Sequence, residues 1–398
     1  MNKIMVVNCG SSSIKFQILM MPSGNVLCSG IVEKIGLEVG YFKLKYQDKK
    51  IEKDFDCPTH KEGLAFVCKE LIDEKVLHDL SEIKGCGHRV THGGEAFKGS
   101  VIIDDKAIKQ IEEYSDLAPL HNPVNALGYH VMKEMLPTDL HVAVFDTSFH
   151  QTIDEDVYLY PIPHDYYEDY RIRKYGFHGT SHRYVYNEAE KKYGKEAVKK
   201  TIVCHLGNGA SVCAIEDGKS VDTSMGFTPL GGLMMGTRCG NIDPAIVDFL
   251  CDKENKSADE VLYTLNHKSG MLGLSEVSSD MRELTEAANG GNKKAKTAMN
   301  VYARRVADYI GAYTMKLRGL DTLIFTAGIG ENSGIARHNI LENIKDALQI
   351  KYDNDLNMAT VGTYQEISSS DSKVRVLVIP TNEELMIAKE VQSFLDKK

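Results

Sequence analysis

The sequence predicts a mixed α/β protein of two domains built alike. Three observations predict it. Short apolar strands alternate with amphipathic helices, a strand–glycine turn–strand unit at the N-terminus recurs near residue 200, and 398 residues exceed what one core comfortably holds.

The elements follow in order. Ile4-Met5-Val6-Val7 reads as a strand, Gly10-Ser11-Ser12-Ser13 as a turn, and Ile14 to Met20 as the returning strand. This turn joins strand to strand, whereas Walker and Rossmann phosphate loops run into a helix. Residues 64–77 place Leu64, Phe66, Val67, Leu71, Ile72 and Val76 at helical spacing. Asn122-Pro123 reads as an N-cap and first-turn proline opening a helix through Leu136. His141 to Phe145 is an apolar strand that ends in Asp146. The hairpin then recurs as Thr201 to Cys204, His205-Leu206-Gly207-Asn208-Gly209, and Ala210 to Ile215. Asp243-Pro244 repeats the helix opening, and Ser257 with Glu260 has capping-box spacing. Residues 293–318 read as one long helix, ending at Gly319 as a left-handed cap. A strand over Thr322 to Thr326, a glycine turn at Gly328–Asn332, a strand over Val374 to Ile379 and a helix from Asn382 complete the pattern.

Composition narrows the function classes. The chain is 42% hydrophobic and 26% charged, with net charge -9 and a pI near 5.9. Basic residues fall in scattered pairs such as Lys49–Lys50, Lys199–Lys200 and Arg304–Arg305, without a stripe that could neutralise nucleic acid or an anionic membrane. Nine cysteines, an odd number without a C-x-x-C pair or zinc-ligand spacing, fit reduced thiols and a cytoplasmic location. The apolar run at residues 4–7 is too short for a signal peptide, and no run approaches the roughly 18 apolar residues of a membrane span.

The glycine-rich turns come first among the chemical features. Backbone nests at Gly10–Ser13, Gly207–Gly209 and Gly328–Asn332 can hold phosphate oxygens. Each alone reads equally as a plain turn; three, each directly after an apolar strand, point to a nucleotide. The usual motifs fail, however: Gly218-Lys219-Ser220 lacks the Walker glycine at Cys213, and Gly328-x-Gly330 lacks a third glycine at Ser333.

The charged clusters come next. Arg89 in His88–Gly94 and Arg238 in Gly236–Gly240 are flanked by glycines, which suits carboxylate or phosphate recognition but also surface ion pairs. Phe177-His178-Gly179-Thr180-Ser181-His182 has two histidines at metal-ligand spacing without an accompanying acid or thiol. Ser181 reads there as an N-cap and His178 as an anion contact. Asp146 is either a ligand-facing carboxylate at a strand end or a turn cap. Glu383 also reads as an acid complementing a helix dipole.

Taken together, these motifs resemble the acetate kinase family. The matching segments are Val7–Lys15, Gly87-His88-Arg89, Leu117–Pro123, Val144–Thr147, Tyr175–His182, His205–Gly209, Gly236-Thr237-Arg238, Ser278–Arg282, Gly328–Asn332 and Pro380–Glu384, in order along the chain. The resemblance implies two related actin-like ATPase (ribonuclease H-like) α/β domains around a central cleft: 1–150 joined by the C-terminal helix 383–398, and 151–382. It implies a homodimer that moves the γ-phosphoryl group of ATP to acetate, reversibly, giving acetyl phosphate and ADP. By motif position, Asn8 and Glu383 would hold Mg²⁺, with Mn²⁺ as a substitute. Lys15 and Ser11 to Ser13 would lie near the transferring phosphate, and His205, Leu206, Gly207, Asn208 and Gly209 would cradle the ATP phosphates. Asp280, Met281, Arg282, Gly328, Ile329, Gly330, Glu331 and Asn332 would enclose the adenosine. Arg89 and Arg238 would grip the acyl carboxylate and phosphoryl group, His178 would steady transition-state charge, and Asp146 would order the metal–substrate site. Thr91, Leu120, Phe177 and Pro229 would line the acyl pocket.

The residue types agree with that chemistry. A carboxylate of pKa about 4–5 is already ionised, so the difficulty is electrostatic rather than a missing base. Thr91 stands where the family usually has an aliphatic residue, which keeps a propionate or butyrate kinase open as an alternative. A non-catalytic nucleotide-switched scaffold of the same fold is the alternative of another class, and the second anion site distinguishes the two. Cys9 and Cys239, beside the anion-binding segments, are expected to make activity thiol-sensitive.

Overall fold

The structure is a computed structural model that describes residues 1–397; Lys398, the last residue of the expected helix 383–398, lies outside the described residues. The chain divides into two compact units. One is Met1–Phe149 together with the chain from Asn382 onward, and the other is His150–Thr381.

The first unit is built on a sheet of β1 (Asn2–Cys9), β2 (Ser13–Met21), β3 (Asn25–Glu33), β4 (Gly40–Tyr46), β5 (Lys49–Phe55), β6 (Ile83–Val90), β7 (Val101–Ile102) and β8 (His141–Phe145), in the order 5-4-3-2-1-6-8-7. The second has β9 (Lys200–Leu206), β10 (Ala210–Glu216), β11 (Lys219–Thr223), β12 (Thr322–Thr326), β13 (Gln365–Glu366) and β14 (Arg375–Val378), in the order 11-10-9-12-14-13. In both, an antiparallel meander, of five strands in the first unit and three in the second, is followed by two parallel strands on the far side of its first strand. The recurrence of the glycine hairpin therefore reflects one sheet connectivity used twice.

Strand composition follows from position. The parallel strands HVAVF and TLIFT are buried at every residue, as strands covered on both faces must be. The edge strand β5, KKIEKDF, buries none of its residues and carries charge along an open edge. In β1 the alternation separates two cores. Met5 and Val7 join Leu64, Val67 and Met132 on one face, while Ile4 and Val6 meet Ile387 and Val391 of the closing helix Glu383–Leu395 on the other. Gly87 lets that helix lie on the sheet, since a Cβ there would fall 2.4 Å from Ile387 Cγ2.

Several local expectations are displaced. The helix read over 64–77 spans His60–Asp73, because the Thr59 side chain caps it by accepting from Lys61 N–H. The long helix ends at Lys316 and Arg318, not Gly319, takes the left-handed αL geometry. The helix Asn122–Met135 has His121 at its N-cap without a side-chain bond, which frees the Asn122 amide for other work. Asp243 accepts from Ala245 N–H one turn position before the helix Ala245–Glu254. Gly328–Asn332 is a short helix, Ala327–Asn332, rather than a turn, because the Glu331 carboxylate accepts the Ala327 N–H. Ser181 lies inside the helix Gly179–Tyr193, whose N-cap is His178 at φ 57. The capping box of Ser257 and Glu260 is present.

Candidate active site

In the first unit, three adjacent parallel strands deliver polar side chains at their C-terminal ends: Asn8 from β1, Arg89 from β6, and Asp146 directly after β8. Arg89 Nε donates to Asp146 Oδ1 at 3.0 Å, and Nη2 to Oδ2 at 2.5 Å, a bidentate pair. Its Nη1 donates to Asn8 Oδ1 at 3.1 Å. Burial opposes the arginine's charge, but Asp146 and Glu383 outweigh it and hold the guanidinium more basic than usual. Glu383 sits at the first position of the closing helix, whose cap is the Asn382 side chain accepting from Leu385 N–H at 2.9 Å. Burial pushes the Glu383 carboxyl up to about 7; Arg89 and Lys15 pull it down, while Asp146 and Glu384 add to the rise. These hard oxygen donors, crowded enough that one carboxyl resists ionising, fit a divalent cation such as Mg²⁺.

The first glycine turn is fixed by its carbonyls. Cys9 C=O accepts from Asn125 Nδ2 at 2.9 Å, Gly10 C=O from His60 Nε2 at 2.7 Å, Ser12 C=O from Ile35 N–H, and Ser13 C=O from Gly10 N–H. Ser11 and Ser12 are left exposed, as is Lys15, and Ser13 is half-buried. The Asn125 Oδ1 also accepts from Thr91 N–H at 3.0 Å, so one buried amide joins the turn to the Thr91 segment; Asn122 holds His92 N–H in the same way. Neither asparagine was legible as a site residue. The available signal was their spacing of three residues at a helix start, which sets both on one face. Thr91 is buried, whereas Leu120 is 67% exposed.

The second unit repeats the device. Gly207 N–H donates to Gly209 C=O, and Gly236 N–H donates to Asn208 C=O, which turns this loop's carbonyls inward. A Cβ at Gly209 would lie 3.5 Å from Arg238 Nη1 and 3.7 Å from His178 Nε2, so both side chains flank the turn. Arg238 is half-buried, and burial lowers its pKa. Its Nη1 meets only Pro229 C=O at 3.3 Å and Met235 Sδ at 3.9 Å, and no carboxylate pairs with it among the described residues. The His178 ring stacks on His205, with centroids 4.1 Å apart and planes at 22°. Phe177 is buried, and its carbonyl accepts from His150 Nε2 at 2.9 Å.

The same turn also lines a cavity of about 870 Å³. It is lined by Gly207 and Asn208, by Asp280, Met281 and Arg282, and by Gly328, Ile329 and Asn332, among others. That volume suits a nucleoside. Asp280 caps the helix Met281–Asn289 and pairs with Arg282, which holds its carboxyl down to about 2.

Some expected contacts lie elsewhere. Leu206 is fully buried in the core beneath the turn, and His205 Nδ1 bonds Ser181 Oγ at 2.7 Å. Gly330 gives its carbonyl to Arg337 Nη1, and Glu331 accepts from Ala327 and Thr381 N–H groups, so these two serve the scaffold rather than the cavity wall. The thiols differ in burial: Cys9 is buried and its pKa is pushed up to about 12, which disfavours its thiolate, whereas Cys239 is half-buried and burial raises it too. One cluster of soft ligands escaped the sequence reading. Cys86, His88 and His141 converge from β6 and β8, where His88 Nε2 and His141 Nδ1 share a hydrogen bond of 2.9 Å. No helix among the described residues is long and apolar enough to cross a membrane.

Comparison with known proteins places this geometry. The acetokinase family profile matches residues 3–389. The chain is 50% identical to an acetate kinase of Bacillus subtilis over 392 residues, covering 98% of this chain and 99% of that one. It is 51% identical to an acetate kinase of Clostridium botulinum over 398 residues, covering 99% and 100%. Among solved structures, the acetate kinase of Porphyromonas gingivalis superposes with a TM-score of 0.95 at 43% identity, covering 99% and 100%. A propionate kinase of Francisella tularensis does so with 0.92 at 40%, covering 99% and 100%. The chain belongs to the acetokinase family.

Proposed function

We propose that this chain transfers the γ-phosphoryl group of ATP to acetate, reversibly, by direct in-line displacement that yields acetyl phosphate and ADP. The observation that carries the reading is Arg238. A half-buried guanidinium without a carboxylate partner among the described residues stands with His178 at a phosphate-type turn, which also lines a nucleoside-sized cavity. Such a cation is costly unless an anion joins it.

The chemistry needs no strong base. Acetate arrives ionised, and the barrier lies in bringing it in line against a polyanion. The pairing of Asp146 with Arg89 casts Asp146 as an orienting group that aims the guanidinium, not as a proton acceptor. Arg238 and the His178 N–H would bear on the transferring group, and Lys15, Ser11 and Ser13 on its oxygens. Asn8 and Glu383 would hold Mg²⁺, directly or through water, with Mn²⁺ as a substitute; the bound cation supplies charge neutralisation on the phosphates. Thr91, Leu120, Phe177 and Pro229 would bound the methyl group. The likeness to a propionate kinase gives propionate specific support as a second substrate, since one methylene is worth only about 1–3 kcal/mol.

A cytoplasmic homodimer completes the reading. The helix Ala245–Glu254 buries none of its residues and leaves Ile246 and Phe249 exposed, and its neighbour Ala258–His267 exposes Leu262 and Tyr263. The test is to supply ATP, Mg²⁺ and acetate or propionate and to trap acyl phosphate with hydroxylamine. Acetohydroxamate formed in step with ADP supports the reading; ADP without hydroxamate from any short acid overturns it.

A further inference from the structure

We infer that Ser211 and His182 are positioning residues that keep the proton of His178 on Nε2, the ring nitrogen turned toward Gly209 and Arg238. The inference rests on the reading of His178 as a donor to the transferring phosphoryl group. Ser211, fully buried on β10, places Oγ 3.0 Å from His178 Nδ1 and 2.8 Å from His182 Nε2. A hydroxyl has one proton, so it donates to one ring, and the other ring must donate to it.

His182 decides which. It is fully buried, and burial, with His150 and His205 adjacent, holds its pKa well below the usual histidine range. The ring is therefore neutral and carries one N–H. Its Nδ1 is buried with no hydrogen-bond partner among the described residues. A buried N–H without an acceptor is rarer than a bare acceptor, so the proton belongs on Nε2, where Ser211 accepts it. Ser211 then gives its own proton to His178 Nδ1, and a ring that accepts at Nδ1 carries its hydrogen on Nε2. The opposite arrangement would strand an N–H in the core and turn a lone pair toward the incoming anion.

The surroundings hold this orientation. His205 stacks on the His178 ring, and His205 is itself held through Nδ1 by Ser181 Oγ, which contacts Thr381 Oγ1 at 2.7 Å. In this tautomer the His178 Nε2–H can donate to an anion without the ring first becoming an imidazolium.

The experiment reads the tautomer directly. In ¹⁵N-histidine-labelled protein at neutral pH, the His178 resonances should report Nε2–H in the wild type and a shift toward Nδ1–H in Ser211→Ala. Ser211→Ala should also lower kcat by about 10–100-fold, the scale of losing a group that orients a functional side chain, with KM for ATP and acetate little changed. His182→Gln, whose amide can donate to Ser211, should recover most of the kcat that His182→Leu loses. A wild-type Nδ1–H signature overturns the inference even if every variant misfolds, and so does a Ser211→Ala protein with unchanged tautomer and kcat. An Nε2–H signature combined with full turnover in His178→Ala would support the relay while overturning the catalytic role assigned to His178.

Discussion

Glu383 and Arg238 carry charge in opposite states of compensation, and each state is a measurable property of one residue. Burial holds the Glu383 carboxyl near 7, against an ordinary value of 4.5. The folded protein thus keeps a proton that the unfolded chain releases above about 4.5. Its contribution to stability is lost as pH rises from about 4.5 to about 7 and stays lost above that. Metal-free wild type should therefore lose Tm across this window relative to Glu383→Gln, and Mg²⁺ should restore the wild type but not the variant. Parallel Tm curves with and without Mg²⁺ would contradict this. Much at this scale was legible, because glycine-flanked Arg89 and Arg238 and the carboxylate after an apolar strand are local patterns. Their partners were not. Asn8, Arg89 and Asp146 meet only through the order of β1, β6 and β8, which local sequence does not encode. Asn122 and Ser181 were misread as caps because asparagine and serine at helix starts usually cap; here their side chains bond to His92 and His205.

At the scale of elements, the two glycine turns work through inward-facing carbonyls, and Gly236 shows how little tolerance the arrangement has. A Cβ at Gly236 would fall 1.8 Å from Asn208 Oδ1, in the turn between the cavity and Arg238. Gly236→Ala should displace Asn208 and weaken ATP binding by about tenfold or more, roughly the 1.4 kcal/mol equivalent of one lost contact set, while leaving circular dichroism unchanged. Calorimetric titration with ATP checks this, and wild-type affinity would contradict it. Helix and strand identities followed from periodicity, but ends did not. Gly328–Asn332 looks like a turn because it holds two glycines, yet the Glu331 carboxylate secures a helical turn that propensity alone disfavours.

At the scale of the whole molecule, one sheet connectivity is used twice, and each copy carries its own polar cluster: Arg89 with Asp146 and Glu383 in one, Arg238 with His178 in the other. The recurrence of the hairpin made the duplication visible in the sequence, whereas the return of Glu383–Leu395 to the first sheet has no local signal beyond Gly85 and Gly87, which make room for it. The exposed apolar face of Ala245–Glu254 belongs to this scale as well. For the homodimer proposed above, with that face as its interface, Phe249→Asp should shift dimer toward monomer in sedimentation velocity, and an unchanged sedimentation coefficient would refute the assignment. The central claim is that Arg89 and Arg238 are each needed for the proposed phosphoryl transfer, and it is tested most directly by the turnover of Arg89→Ala and Arg238→Ala in acyl phosphate formation. Each substitution is expected to lower kcat by at least ~10²-fold, the scale of losing one transition-state donor, with the nucleotide still bound. Near-normal turnover in both would contradict the account.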